Sequence, residues 1–170
     1  MNIFITDEDP VICASHHCDR HEPKMILESA QMLCAVWHRY GQTFPNMYKE
    51  THKNHPCTIW VGTNTANYLW LVDLFKALNA QRAARGKATH RSFTTLVPHI
   101  LTRPDGLPIS SERTPFVQAM PDAFKICTTV VSYRLYLLYK RDEWRSRGMD
   151  FTYKDRAEPE WLNGTVVQYS

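Results

Sequence analysis

Apolar residues recur at helical spacing along residues 23–40. One side of this stretch is apolar, at positions Ile26, Ala30, Leu33 and Trp37. Because residues three or four apart share a face of an α-helix, this series predicts a helix that buries one side in a core. A proline opens the stretch and a glycine follows it, which suits the first turn and the C-cap of a helix.

Cap residues, prolines and glycines predict four more helices, over residues 10–18, 66–85, 92–101 and 127–147. We expect Pro98 to kink or end the third of these early, because proline lacks the N–H that an inner helical turn needs. The other segments are predicted as a strand or extended arm over 2–6, a polar loop over 42–62 and a proline-rich connection over 102–122. One helical turn is expected in that connection after Thr114.

The composition is that of an ordinary globular protein, with 170 residues of which 44% are hydrophobic and 22% charged. This length favours one domain, spanning 1–170, with room for a buried core. The fold is therefore predicted to be mainly α, a compact single-domain bundle of about five helices with a long proline-rich loop. A polar tail over about 149–170, anchored by Trp161, completes it.

The net charge of +3 makes the chain mildly basic, which permits a polyanionic partner without requiring one. The five cysteines are odd in number and lack CxxC spacing, as is usual for reduced intracellular thiols. The N-terminus lacks the regions of a signal peptide, and no apolar run is long enough to span a membrane. We therefore expect a cytoplasmic protein without a membrane partner.

A stripe of polar residues lies on another side of the helix predicted over residues 23–40. Lys24, Glu28 and Gln31 recur at i, i+4 and i+7, and Asp19 and His21 lie just upstream. In an active site Glu28 could act as acid or base, with Lys24 tuning its pKa or binding phosphate. His21 would be a second proton carrier, and Asp19 is a further candidate catalytic residue. The alternative is a solvated helix face with an ordinary Lys–Glu pair.

The predicted loop holds a second group of polar residues, His52, Lys53, Asn54 and His55. A lysine and an asparagine flanked by histidines could bind a phosphate and the edge of a base. The alternative is an exposed polar loop, because asparagine and proline are also common in turns.

The last predicted helix interleaves aromatic and basic residues. Its arginines, Arg134, Arg141, Arg145 and Arg147, are candidates for contacts with a nucleic-acid backbone. Its tyrosines and tryptophan could stack on bases, but at helical spacing they are more typical of a core.

Metal ligands are present by type but not by spacing. Cys13, His17 and His21 succeed one another at intervals of four, but they form neither a CxxC nor an HExxH motif. Signatures such as GxGxxG, the P-loop and GxSxG are absent from the sequence as well. Neither a metal nor a cofactor is therefore expected.

Several segments together resemble an uncharacterised group of small phage proteins: MNIFITDEDP, HCDRHEPKMILESAQML, THKNHPCTIWV, NYLWLVDLF and TPFVQAMPDAF. That group is similar in turn, over the N-terminal third, to the pyrimidine-dimer DNA glycosylase (phage endonuclease V) family. The resemblance implies a compact helical domain. It also implies attack by an N-terminal α-amine on the sugar carbon of a damaged nucleotide, with a glutamate assisting.

Carried onto this chain, the resemblance assigns the amine to Met1 or Asn2 and the glutamate to Glu22 or Glu28. The family exposes a small second residue after removal of methionine, where this chain has an asparagine. The function implied is that of a phage-encoded enzyme, glycosylase/AP-lyase-like, acting on a damaged or modified base, with DNA or a nucleotide as partner. A base-modifying transferase and a non-enzymatic nucleic-acid-binding or host-inhibiting accessory protein remain as alternatives.

Overall fold

Helices supply the regular secondary structure of the chain, for which a computed structural model describes residues 1–163. They are α1 (Pro10–Ser15), α2 (His21–Arg39), α3 (Pro56–Val61), α4 (Thr65–Ala84), α5 (Arg91–Ile100), α6 (Thr129–Ser146) and α7 (Glu160–Asn163). A single 3₁₀ turn covers Asp122–Phe124. The prediction of a mainly α fold is confirmed. Within the described range, no helix combines the length and the apolar character that crossing a membrane requires.

Helices α2 and α4 form the centre of the core. Helix α4 packs against α1 and α2, and α2 also contacts α3 and α5. The apolar stripe predicted on α2 is buried at Ile26, Ala30 and Leu33. Trp37 is half-buried, and its indole N–H donates to the Tyr68 hydroxyl on α4 at 2.9 Å. Helical spacing therefore identified the face of α2 that packs on the core.

Predicted helix starts were correct where a short polar side chain caps the first turn. Asp9 accepts N–H bonds from the first turn of α1, and Asn64 accepts from Asn67 N–H at 2.9 Å at the start of α4. Other boundaries differ from the prediction. Helix α1 ends at Ser15 rather than Cys18, and α2 begins two residues before its proline.

The predicted loop over 42–62 contains a helix, α3, so this prediction was wrong for residues 56–61. The sequence of α3 is rich in β-branched residues, which lowers its helix propensity. Tertiary burial of Cys57, Trp60 and Val61 outweighs that preference. His55 caps the helix, because its Nδ1 accepts the Cys57 N–H at 3.2 Å.

Pro98 lies inside α5 and does not end it. The carbonyl that this proline leaves without a helical partner belongs to Thr94, which is exposed and therefore open to water. Burial of Leu96 and Ile100 holds the last turn in place. The helical turn expected after Thr114 is not formed, and the 3₁₀ turn begins only at the last residue of that connection.

Residues 2–6 form an extended arm, which settles the alternative between a strand and an arm. Ile3 and Ile5 are buried on one side of the arm. Phe4 points to the other side, where its ring centroid lies 5.0 Å from His21 and 6.3 Å from Tyr136 of α6. The arm therefore runs between the start of α2 and α6, and it carries Met1 to the side of α2.

The C-terminal part of the described chain folds back onto α6. Phe151, Tyr153 and Leu162 are buried there together with Cys18 and Leu138. Trp161 packs against this cluster, so the segment predicted as a polar tail contributes buried apolar residues. The rest of that predicted tail, 164–170, lies outside the described residues.

Candidate functional site

The carboxylate of Glu28 is the meeting point of three nitrogen groups. Its Oε2 accepts the main-chain N–H of Asn2 at 2.8 Å. Its Oε1 lies 3.7 Å from the α-amino nitrogen of Met1 and 3.8 Å from Lys24 Nζ. Glu28 is only 9% exposed, so these contacts form in a partly desolvated place. The pairing of Lys24 with Glu28 is the one that their spacing along α2 predicted.

The side chain of Met1 is buried in the core, whereas its main chain is accessible to solvent. The side chain is 1% exposed and packs on the core, with the Thr58 hydroxyl 3.5 Å from its sulfur. The residue as a whole is nevertheless half-buried rather than buried. Its accessible surface must therefore lie on the main chain, which includes the amino group. Both nitrogens that the sequence left open as the amine lie beside Glu28, that of Met1 at 3.7 Å and that of Asn2 at 2.8 Å.

His55 faces the same group from the start of α3. Burial lowers the pKa of His55 first, the positive α-amine of Met1 lowers it further, and the Glu28 carboxylate partly opposes both. Since Nδ1 accepts the Cys57 N–H, the proton of the neutral ring lies on Nε2. The group of Met1, Glu28, Lys24 and His55 thus combines an amine, a carboxylate, a second cation and an imidazole.

The other predicted residues of the loop lie nearby but make local contacts. His52 is exposed, and its Nδ1 lies 2.7 Å from the Thr51 hydroxyl. Lys53 pairs with Glu50 at 3.4 Å, and Asn54 is exposed. Gln31, on α2, is half-buried one turn beyond Glu28. Substrate binding by these four residues stays a prediction.

His21 lies among aromatic rings rather than in the Glu28 group. It is 3% exposed, and its ring centroid lies 5.0 Å from that of Phe4 and 4.9 Å from that of Trp144. Burial first, and then the charges of neighbouring groups, lower its pKa to about 3. The ring is therefore neutral near pH 7, which favours a packing role over the proton-carrying role predicted for it.

Acidification should destabilise the fold through this histidine and its neighbour His17, whose pKa burial lowers to about 4. Both stay neutral when folded but take up protons near pH 6.5 when unfolded, so stability is lost as pH falls from 6.5 toward 4. Between pH 6.5 and pH 4, the free energy of unfolding of His21→Phe, which keeps an aromatic ring, should fall by roughly 1–2 kcal/mol less than that of the wild type. Urea unfolding measures this difference. The change His52→Gln, at an exposed histidine, should leave the pH dependence of stability unaltered. An unchanged pH dependence in His21→Phe would show that His21 does not cause the acid destabilisation.

Asp19 and Glu22 are held by arginines away from the Glu28 group. The Asp19 carboxylate accepts from Arg85 and Arg156, and also from the main-chain N–H of Lys154 at 2.8 Å. Glu22, which is 1% exposed, pairs with Arg82 at 3.2 Å and with Arg85. These contacts favour a structural role for both acids. Between the two glutamates that the sequence left open, the geometry favours Glu28.

The arginines of α6 differ in how far they are already engaged. Arg134 Nε donates to the Thr6 carbonyl at 2.8 Å and so helps to hold the N-terminal arm. Arg141 donates to the Leu162 carbonyl at 2.6 Å, and Arg147 pairs with Glu143 at 2.7 Å. Arg145 and Arg147 are exposed. Backbone contacts to nucleic acid by this set remain a prediction, for which the exposed pair is better placed.

Metal-ligand types do not converge in the described part of the chain. No group of three or more histidine, cysteine or acidic side chains within residues 1–163 is arranged to hold a metal ion. His17 donates through Nδ1 to the Cys13 carbonyl at 2.8 Å, and its ring centroid lies 6.5 Å from that of His21. Surface cavities of 530 and 850 Å³ lie elsewhere, between α1 and α4 and beside residues 111–116.

Comparison of the chain with protein-family models, with curated proteins and with solved structures gives no match.

Proposed function

We propose that this chain is a phage-encoded enzyme of glycosylase/AP-lyase type, which acts on a damaged or modified DNA base through the α-amine of Met1. The observation that carries the proposal is the 3.7 Å approach of that amine to the Glu28 carboxylate. An amine with a carboxylate beside it combines a nucleophile and a group that can take its proton. The sequence resemblance, which implies the same pair of groups, supports this reaction class.

The reaction would begin with the deprotonated amine attacking C1′ of the sugar. The bond from C1′ to the base breaks, and the base leaves with that electron pair and takes up a proton. The attached nitrogen then loses a proton, the C1′–O4′ bond opens, and O4′ is protonated, which leaves an iminium between Met1 and C1′. In this scheme Glu28, whose Oε1 lies 3.7 Å from the amine, takes the proton from the nitrogen and returns one to O4′.

The neighbouring groups suit a nucleotide drawn out of the DNA stack. Lys24 offers a cation at the rim of the group, since its side chain is 65% exposed. His55, which caps α3, offers the N–H of its Nε2. Both fit the negative phosphates that flank an extruded sugar.

The test is borohydride trapping with UV-irradiated, abasic-site and modified-base DNA, followed by mass spectrometry of the N-terminal peptide. We expect a reduced adduct on Met1, because borohydride converts the iminium into a stable amine. An N-terminally acetylated chain is the matched control, since it keeps the fold and lacks the nucleophile. If no substrate gives an adduct, or if the acetylated chain reacts equally, the proposal fails in favour of a transferase or a binding protein.

Lys24→Met is expected to weaken DNA binding more than it slows the chemical step. The ion pair between Lys24 and Glu28 is 3.8 Å long and Lys24 is mostly exposed. Loss of this pair therefore costs less than about 1 kcal/mol. The KM for abasic DNA should rise about fivefold and depend less steeply on salt, while kcat changes less than threefold. A hundredfold fall in kcat would instead place Lys24 in the chemistry.

A further inference from the structure

The side chain of Asn2 is part of a closed cycle of hydrogen bonds between three distant parts of the chain. Its Nδ2 donates to the carbonyl of Ala119 at 2.8 Å. The N–H of Ala119 donates to the hydroxyl of Tyr133 at 3.1 Å, and that hydroxyl donates to Asn2 Oδ1 at 2.9 Å. An amide is required at position 2, because one end of the side chain donates while the other accepts.

Further donors converge on the same oxygen. Asn2 Oδ1 also accepts the N–H of Ile3 at 2.8 Å and lies 3.6 Å from the Cys57 sulfur. Burial raises the pKa of Cys57 to about 11, so its thiol stays protonated and can donate. Tyr133 is fully buried, and burial raises its pKa as well. The cycle therefore consists of neutral groups, of which Tyr133 is buried and Asn2 and Ala119 are half-buried.

This cycle is coupled to the Glu28 group through one peptide unit. The main-chain N–H of Asn2 donates to Glu28 Oε2, and the amine of Met1 precedes it by one residue. Consecutive Cα atoms are about 3.8 Å apart across a rigid peptide plane. Fixing the side chain of Asn2 therefore restricts where the amine can lie relative to Glu28.

We propose that Asn2 and Tyr133 are positioning residues that hold the Met1 amine against Glu28. Their meaning for catalysis rests on the function proposed above, but the positioning itself does not. The proposal also gives a purpose to the TPFVQAMPDAF segment, whose Ala119 closes the cycle, and to the HPCTIW segment, whose Cys57 and Thr58 contact the first two residues.

The experiment compares Tyr133→Phe with Tyr136→Phe, a matched change one turn along α6. Hydrogen exchange of the Asn2 amide, followed by NMR near neutral pH, where the buried His17 and His21 do not destabilise the fold, reports on the bond to Glu28 without any DNA. We expect Tyr133→Phe to speed this exchange about tenfold, the change in population that one buried hydrogen bond can control. Trapping on abasic DNA should lose about tenfold in kcat with KM unchanged. Tyr136→Phe should alter neither quantity.

If Tyr133→Phe does not fold, Asn2→Asp tests the same cycle, because it keeps the accepting oxygen and removes the donor to Ala119. Exchange of the amide of residue 2 that stays at the wild-type rate in a folded variant would overturn the positioning role. If exchange is faster in the variant but the wild-type protein never forms a trapped adduct with DNA, the positioning role stands and the proposed function is wrong. Equal losses in both tyrosine variants would show a general packing effect and also overturn the proposal.

Discussion

Glu28→Gln should lower the rate of borohydride trapping on abasic-site DNA by about 100- to 1,000-fold, the range expected when a general acid–base group is lost. Glutamine keeps the shape of the side chain and can still accept the Asn2 N–H. It cannot take a proton from the Met1 amine, which lies 3.7 Å from the carboxylate. Single-turnover trapping at saturating DNA measures the effect on chemistry separately from binding.

Two comparisons make this result specific to Glu28. The exposed Glu112→Gln removes a carboxylate elsewhere on the surface and should trap at the wild-type rate. Glu28→Asp keeps the charge but withdraws it by one methylene, so its loss should be smaller than that of Glu28→Gln. A Glu28→Gln variant that folds and keeps more than a third of the wild-type rate would remove the carboxylate from the mechanism.

Arg85→Leu should lower the free energy of unfolding by about 3 kcal/mol, because it leaves buried carboxylates with fewer partners. Arg85 is 5% exposed at its side chain and contacts both Asp19 and Glu22. Glu22 is buried, so losing part of its compensation is costly. Arg82 and Arg156 retain contacts to the two acids, which keeps the expected loss near the lower end for such pairs. Urea unfolding at pH 7 measures it.

The matched control for this change is Arg145→Leu, which removes an exposed arginine from α6 and should change stability by less than about 0.5 kcal/mol. The double variant Arg85→Leu with Glu22→Gln should lose less than the sum of its single changes, because the unpaired charge is gone as well. Additive losses would mean that Arg85 and Glu22 do not depend on one another. Glu22 would then be free for another role.

The sequence determined the features that depend on residues close together along the chain. Helical periodicity located most of α2, α4 and α6, because the spacing that creates an apolar face operates over three or four residues. Asp9 and Asn64 marked two helix starts for the same local reason. The Lys24–Glu28 pair also follows from spacing alone. Spacing could not rank the acids of the polar stripe, which all carry the same kind of side chain.

Tertiary structure decided which polar groups meet. Asp19 and Arg85 are 66 residues apart, and Asn2 and Tyr133 are 131 apart, so no local pattern links them. Helix α3 likewise forms because its β-branched Thr58 and Val61 are buried by neighbours rather than because they favour a helix. The Met1 amine reaches Glu28 only because the arm is packed between α2 and α6. Such contacts depend on how whole helices pack against one another. Neither the spacing of residues nor the composition of the chain predicts that packing.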